Sequence, residues 1–398
     1  MAEGKYDDLV PAFEIWIEGS RIGGDLSMLV TSVEYESSDG IADEMRVVFA
    51  NPEYKLSNST LWRQGNQLDL WIGYGKNLVH IGRGIIARPS PKYVRDGMPT
   101  IEITAYSKDF LMMENKPAPQ LKERKARGKK AAEQTRDIRN FQKYLVTDSA
   151  LEVASRPAYR FDLIDIDEME RPRYSNAQKA DITDYQYVKG LANSIGWLFW
   201  VDYAPESGWA FHFRDPKKTR VQDRVYTFEH YNGNKSTLLD FEPELSLTGS
   251  VSTLQVQCRD TDSNETLIDE FTDDQTAPDS RYRGNPEERI DETVTTAGAV
   301  VRLFFGDHFV DVVSDRQFRT NAELRVWAEQ WWRRKRENFV VGRGTVVGLP
   351  DLRARQVHTL KLPDVSLSGD YYFARVRHTF GENGYLVDFS ARKLVSSW

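Results

Sequence analysis

Ile101-Glu-Ile-Thr-Ala-Tyr-Ser-Lys108 and Leu386-Val-Asp-Phe-Ser-Ala-Arg-Lys393 decide the architecture of this 398-residue chain. Each alternates with a period of two, the mark of a strand with one buried face. Their neighbours repeat in the same order. Gln67-Leu-Asp-Leu70 is similar to Gln356-Val-His-Thr-Leu360, and Ile85-Ile-Ala-Arg88 to Tyr372-Phe-Ala-Arg375. The offsets, 287 for Ile85 to Tyr372 and 285 for Lys108 to Lys393, differ by two residues, which one turn of different length explains. Two copies of one β-module therefore flank an insertion.

Working outward, alternating stretches at 13–18, 29–35, 45–50, 67–72, 79–87 and 100–106 are separated by turn signals such as Ser37-Ser-Asp-Gly40 and Asp96-Gly97. Residues 1–115 are expected to form the first β-barrel domain. Residues 116–236 are expected to be a basic linker and an α+β insertion. The linker holds Lys122, Arg124, Lys125, Arg127, Lys129 and Lys130. In the insertion, Thr183-Asp-Tyr-Gln186 is a capping box that starts a helix, Gly196 ends it, and a hairpin follows. Residues 237–398 are expected to be the second barrel, with an acidic, turn-rich loop at 261–292 and a helix from Thr320 to Arg336. On that helix Trp327 and Trp331 should face the sheet, leaving Trp332 to reach a partner. The six basic residues and Trp332 are thus the candidate subunit or partner contacts. The fold class is mainly β, two antiparallel β-barrel modules flanking an α+β region.

Composition narrows the function. With 53 basic and 60 acidic residues the net charge is −7, which argues against a general nucleic-acid binder. Ten Trp, 18 Tyr and 19 Phe suit β-rich cores and large interfaces. No apolar run approaches the roughly 18–20 residues of a membrane span. Met1–Val10 lacks the apolar centre of a secretory signal, so synthesis is expected to end in the cytoplasm. One cysteine excludes intrachain disulfides and a cysteine-based zinc cluster.

Enzyme signatures are thin. The chain has no G-x-S-x-G elbow, no H-E-x-x-H helix and no phosphate-binding G-x-x-x-x-G-K-[ST] loop. Gly82-Arg-Gly84 and Gly342-Arg-Gly344 are too short for a dinucleotide loop and are read as turns or bulges. Asp165, Asp167, Glu168 and Glu170 lack the glycine of a calcium loop and are read as a solvated acidic turn. The histidines at 80, 212, 230, 308, 358 and 378 do not pair at metal spacing and are expected to be structural. No catalytic, cofactor or metal residue is expected.

Val30-Thr-Ser-Val33, Asp43-Glu-Met-Arg-Val-Val-Phe-Ala-Asn51 and Ala105-Tyr-Ser-Lys108 resemble the first module of phage baseplate hub proteins of the late-control-D type. Asp181–Trp197 resembles that family's helix before a hairpin, and Gly348-Leu-Pro-Asp-Leu-Arg-Ala354 with Gly369-Asp-Tyr-Tyr372 and Val376-Arg-His378 resembles its closing module. The family includes the hub half of secretion-system spike proteins. The resemblance implies tube-protein-like barrels and a structural, non-enzymatic hub in a virion tail baseplate. A homotrimeric, pseudo-sixfold ring would then join the hexameric tail tube protein to a central spike protein, alongside baseplate wedge or other tail proteins. A chain ending at Trp398 is expected to leave the needle to a separate protein. DNA would pass through the lumen without specific binding, past strand positions richer in Asp and Glu than in Lys and Arg, with the 122–143 arm turned away from the bore. The basic arm and the acidic stretch lie outside the family's pattern. The alternatives are a tail-associated cell-wall hydrolase and a carbohydrate-binding fibre module.

Overall fold

Strands form where the sequence alternates, and their inward positions are apolar. β1 (Pro11–Ile17) and the two-residue β2 (Ser20–Arg21) precede β3 (Val30–Ser38) and β4 (Glu44–Ala50). In β3 and β4 the side chains of Val33, Tyr35, Met45, Val47 and Phe49 are buried. β5 (Gln67–Tyr74), β6 (Asn77–Lys92) and β7 (Thr100–Tyr106) complete the first module, and the short helix α1 (Phe110–Glu114) leads out of it. The computed structural model describes residues 10–116, 146–168, 181–216, 225–230, 237–245, 253–259, 266–272, 310–313, 324–325, 327–329, 331–332, 340–364, 367–381 and 384–394. Lys122, Arg124, Lys125, Arg127, Lys129, Lys130, Glu170 and His308 lie outside the described residues.

The insertion holds α2 (Val146–Ala154), β8 (Leu163–Ile166), α3 (Asp184–Ile195), β9 (Leu198–Ala204) and β10 (Gly208–Arg214). The capping box has formed: Gln186 N–H donates to Thr183 Oγ1 at 3.2 Å and Thr183 N–H to Gln186 Oε1 at 3.1 Å. Gly196, at φ 73°, ends α3 in the left-handed conformation that glycine adopts without strain. Val188, Leu191, Ala192 and Ile195 pack on Phe199, Phe211 and Phe213, giving the insertion a core of its own.

The rest of the chain forms β11 (Thr227–Glu229), β12 (Leu238–Leu245), β13 (Thr253–Arg259), β14 (Thr266–Thr272), β15 (Val310–Val313), β16 (Val340–Val347), β17 (Val357–Lys361), β18 (Gly369–Gly381) and β19 (Gly384–Lys393). The hydrogen-bonded order β3-β4-β7-β6-β5-β1 of the first module recurs as β12-β16-β19-β18-β17-β11. The final pair differs, β1 running antiparallel to β5 and β11 parallel to β17. Two bulges are duplicated as well. The register against β7 shifts between Ile86 and Arg88, and that against β19 between Phe373 and Arg375. The register of β3 shifts between Val30 and Ser32, and that of β12 between Leu238 and Asp240. Bulges are specific local devices, so their repetition is strong support for a duplicated module.

Several expectations are corrected. Buried positions of the last strands match at an offset of 286, pairing Ile101 with Val387, Ile103 with Phe389 and Ala105 with Ala391. An offset of 285 would set buried against outward residues, because a one-residue slip exchanges the faces of a strand. β11 lies inside the expected insertion yet pairs with β17. β14 lies inside the expected acidic loop, where Thr-Leu-Ile-Asp-Glu-Phe-Thr pairs antiparallel with β13. β13, β14 and β15 form a separate three-stranded sheet. Trp332 does not face outward: it is 1% exposed, in a cluster with Leu254, Val256, Leu324 and Ala328. Leu324, Ala328 and Trp332 recur every four residues, so they share the buried face of the helical residues there, while Trp331 is only partly buried.

Gly342-Arg-Gly344 is no turn. It runs mid-strand in β16, where a Cβ on Gly342 would meet the Phe241 ring at 2.4 Å and one on Gly344 would meet the Asp240 carbonyl oxygen at 2.7 Å. These glycines admit the stacked rings of Phe241, Phe389 and Phe373. Gly82-Arg-Gly84 lies within β6, beside the shift between Leu70 and Trp71, and Gly82 admits Tyr35 and Met45. Gly344→Ala is expected to destabilise the second module by about 1–3 kcal/mol through overpacking against backbone, measured as a drop in its calorimetric transition temperature.

Candidate assembly site

The two modules are joined edge to edge. β18 pairs antiparallel with β3 from Arg375↔Ser38 to Phe380↔Val33, making one continuous sheet. Beneath it a single apolar cluster runs through both modules, and Phe13 meets Phe380 edge-on at 4.8 Å. On the outer face Glu36 takes Arg375 in a fork of 2.5 and 2.6 Å and Arg377 at 2.8 Å. Those two arginines hold the Glu36 carboxylate below its usual range, against the opposing effect of partial burial.

At one end of this seam all three parts of the molecule meet. Arg355, which precedes β17, has a left-handed backbone at φ 70°, a strained conformation for a non-glycine residue. Its guanidinium donates to the Ser38 carbonyl at 2.7 Å, lies 3.7 Å from Asp43 and sits over the ring of Trp200 from the insertion. Asp43 accepts from Tyr35 at 2.8 Å, and its own N–H donates to Ser107 Oγ, which donates in turn to Asp109. Burial raises the Asp43 carboxyl, with Arg355 opposing, and pushes Asp109 up to about 7. Beside them Asp39 accepts from Lys189 of the insertion at 2.7 Å and from Tyr372 of β18 at 3.0 Å. Burial alone would raise Asp39, but the Lys189 cation outweighs it and holds the carboxyl at about 2.

The insertion is also fastened by apolar packing of Ile85, Leu111, Met112 and Met113 and by further contacts: Arg83, held bidentate by Asp69, covers the Tyr203 ring at 3.8 Å, and Lys108 donates to the Arg160 carbonyl at 2.7 Å. A cleft of about 520 Å³ opens there, lined by Gln67, Lys108, Asp162, Tyr203, Ser207 and Trp209. Among the described residues it presents no hydroxyl hydrogen-bonded to a histidine or carboxylate.

Of the acidic run, Asp165 lies in the edge strand β8 and Asp167 just past it, both tied by hydrogen bonds, while Glu168 is exposed. Asp165 accepts from His212 at 2.9 Å and Arg214 at 3.1 Å, and Asp167 from the Asp215 N–H. His212 also reaches Asp202 at 3.1 Å, and the two carboxylates raise its pKa although burial opposes them. His378 lies buried between the Tyr385 hydroxyl and the Leu352 carbonyl, and His358 beside Gln356, both with pKa values lowered by burial. No group of three metal-ligating side chains occurs among the described residues. No described helix is long and apolar enough to cross a membrane.

Comparison with solved structures supplies the context. A tail protein from Neisseria meningitidis MC58 superposes with a TM-score of 0.66 over 96% of this chain and 97% of its own, at 13% identity. The 43 kDa tail protein of prophage MuSo2 from Shewanella oneidensis gives 0.64 over 96% and 98%, at 12% identity. The chain has the fold of phage tail proteins. The E. coli c3393 protein, a type VI secretion component described as similar to T4 tail proteins, shares this fold with a TM-score of 0.55 over 96% of this chain and 77% of its own, at 9% identity. No family model matches the chain, and no curated protein matches it by sequence.

Asp109 supplies a pH test of the junction. Its folded pKa of about 7 lies above the unfolded value of about 3.9, so the stability it contributes is complete at low pH and is lost as pH rises towards 7. Asp109→Asn is therefore expected to unfold at a higher temperature than the parent above pH 7, with a flatter profile between pH 5 and 8, measured by thermal melts across that range.

Proposed function

We propose that this protein is the structural hub at the end of a phage tail or a related injection machine, a homotrimeric ring that joins the tail tube to a central spike. The observation that carries this reading is the distribution of departures from the repeat. The insertion leaves after β7, at the end of the first module where β3 turns into β4. The chain between β12 and β16, with its additional sheet, leaves the corresponding end of the second module, where the first has only the turn 39–43. The opposite ends are those where β6 hands over to β7 and where β18, ending at Gly381, hands over to β19, starting at Gly384. Two like modules side by side thus present similar ends on one side and dissimilar additions on the other.

A hexameric tube and a trimeric spike need an adaptor with six similar surfaces on one side and three on the other, and three copies of this chain meet that demand. Its partners are then the tube protein, the spike protein and neighbouring tail proteins, and its place is the virion tail baseplate. The role is scaffolding, not catalysis, and the candidate acidic and histidine clusters serve it as internal ties. In the ring, the outer face of β3, β4, β7, β6 and their counterparts lines the bore. The charges on that face lie in close pairs. Glu34, Glu44 and Glu102 surround Arg46, and Glu36 takes Arg375 and Arg377. Arginines paired in this way have little free charge left to hold DNA phosphates. Light scattering of the purified chain is expected to give three times its 45.9 kDa mass. A monomer or dimer at every concentration contradicts the ring.

A further inference from the structure

The joint between modules within the chain leaves both of its components free at the outer ends of the sheet. β18 uses its second edge to pair with β3, but the counterpart edge of β6, from Arg88 to Lys92, has no strand beside it among the described residues. Among the described residues β12, the counterpart of β3, pairs with β16 alone. Through the paired strands, Glu36 corresponds to Glu244, Glu34 to Glu242, Arg375 to Arg88 and Thr379 to Lys92.

Building on the ring reading, we propose that the ring closes where β12 of one copy docks on the β6 edge of the next, Asp240, Glu242 and Glu244 facing the neighbour's Arg88 and Lys92. The occupant of each edge is a second copy of this chain, because the joint copies one already made inside the chain. The charges agree. The outward face of β12 is acidic where β3 is acidic, and Arg88 stands where Arg375 binds Glu36. All five side chains are exposed, and none makes an ion pair with a described residue; Arg88 donates only to the Tyr106 hydroxyl, at 2.6 Å. Leu239 and Leu245, 45% and 57% exposed on β12, are the apolar surface an unprotected edge strand shows when its partner is missing.

The two joints differ in one respect that makes the proposal specific. β6 carries Pro89 and Pro91 where β18 carries Val376 and His378, so it has two fewer N–H donors to share between its neighbours. The seam between copies therefore relies more on side-chain charge than the joint within the chain does, and it weakens as salt shortens the reach of charge from about 10 Å at 0.1 M to about 3 Å at 1 M.

The test is trimer dissociation measured by analytical ultracentrifugation on four full-length proteins: the parent, Glu242→Lys with Glu244→Lys, Arg88→Glu with Lys92→Glu, and all four substitutions together. Each reversed pair is expected to weaken the trimer at least about tenfold, and the combination to restore most of it, since only a contact between the two edges is rescued by exchange. Thermal melts of the separated monomers report folding, which these exposed positions should leave unchanged. Trimers of parental strength in both reversed pairs, or no rescue in the combination, overturn the seam and leave the ring reading intact. A parent that never trimerises overturns both.

Discussion

The pairing of β18 with β3 is the constraint on which the rest of the structure depends. Residues more than 330 positions apart form an antiparallel ladder, and under it the apolar faces of both modules merge into one cluster. A duplicated module with two separate cores would tilt freely about a linker. One core fixes the angle between the copies, and a fixed angle is what a repeated head-to-tail contact needs if its rotation is to close into a ring and not run on as a filament.

The three-way junction beside that ladder has a different task. The core of the insertion reaches the first module through Ile85 and the α1 residues Leu111, Met112 and Met113, and polar ties through Arg355, Lys189 and the carboxylates they hold add to its orientation. Buried ionic groups of this kind add little net stability for their desolvation cost, but they have definite geometry. The strained backbone of Arg355 persists because Ser38, Asp43 and Trp200 all depend on where its side chain lies.

Features with a local physical signature were legible in the sequence. Alternation located the strands of the first module, the capping box located α3, and the recurrence of Ile85-Ile-Ala-Arg88 as Tyr372-Phe-Ala-Arg375 located the duplication. What escaped was set by tertiary contact. The one-residue difference in the offset of the last strand is visible only once burial shows which face is inside. β14 was hidden because its acidic flanks look like loop, and only pairing with β13 makes it a strand. Asp43, Asp109 and Arg355 are single charges far apart in the chain, with no periodicity to announce that they meet. Trp332 was misplaced because three indoles in six residues offer two plausible stripes: Trp327 is buried as expected, but packing against Leu254 and Val256 takes in Trp332 in place of Trp331.

The central claim is that two like modules, welded at a fixed angle, generate a ring with similar ends on one side and threefold additions on the other. Electron cryo-microscopy of the purified assembly measures this most directly. The account predicts a reconstruction with three chains, near-sixfold density at the end where β6 hands over to β7 and β18 to β19, and strictly threefold density at the end carrying the insertion. A twofold assembly, or a ring whose modules face in alternating directions, would contradict it.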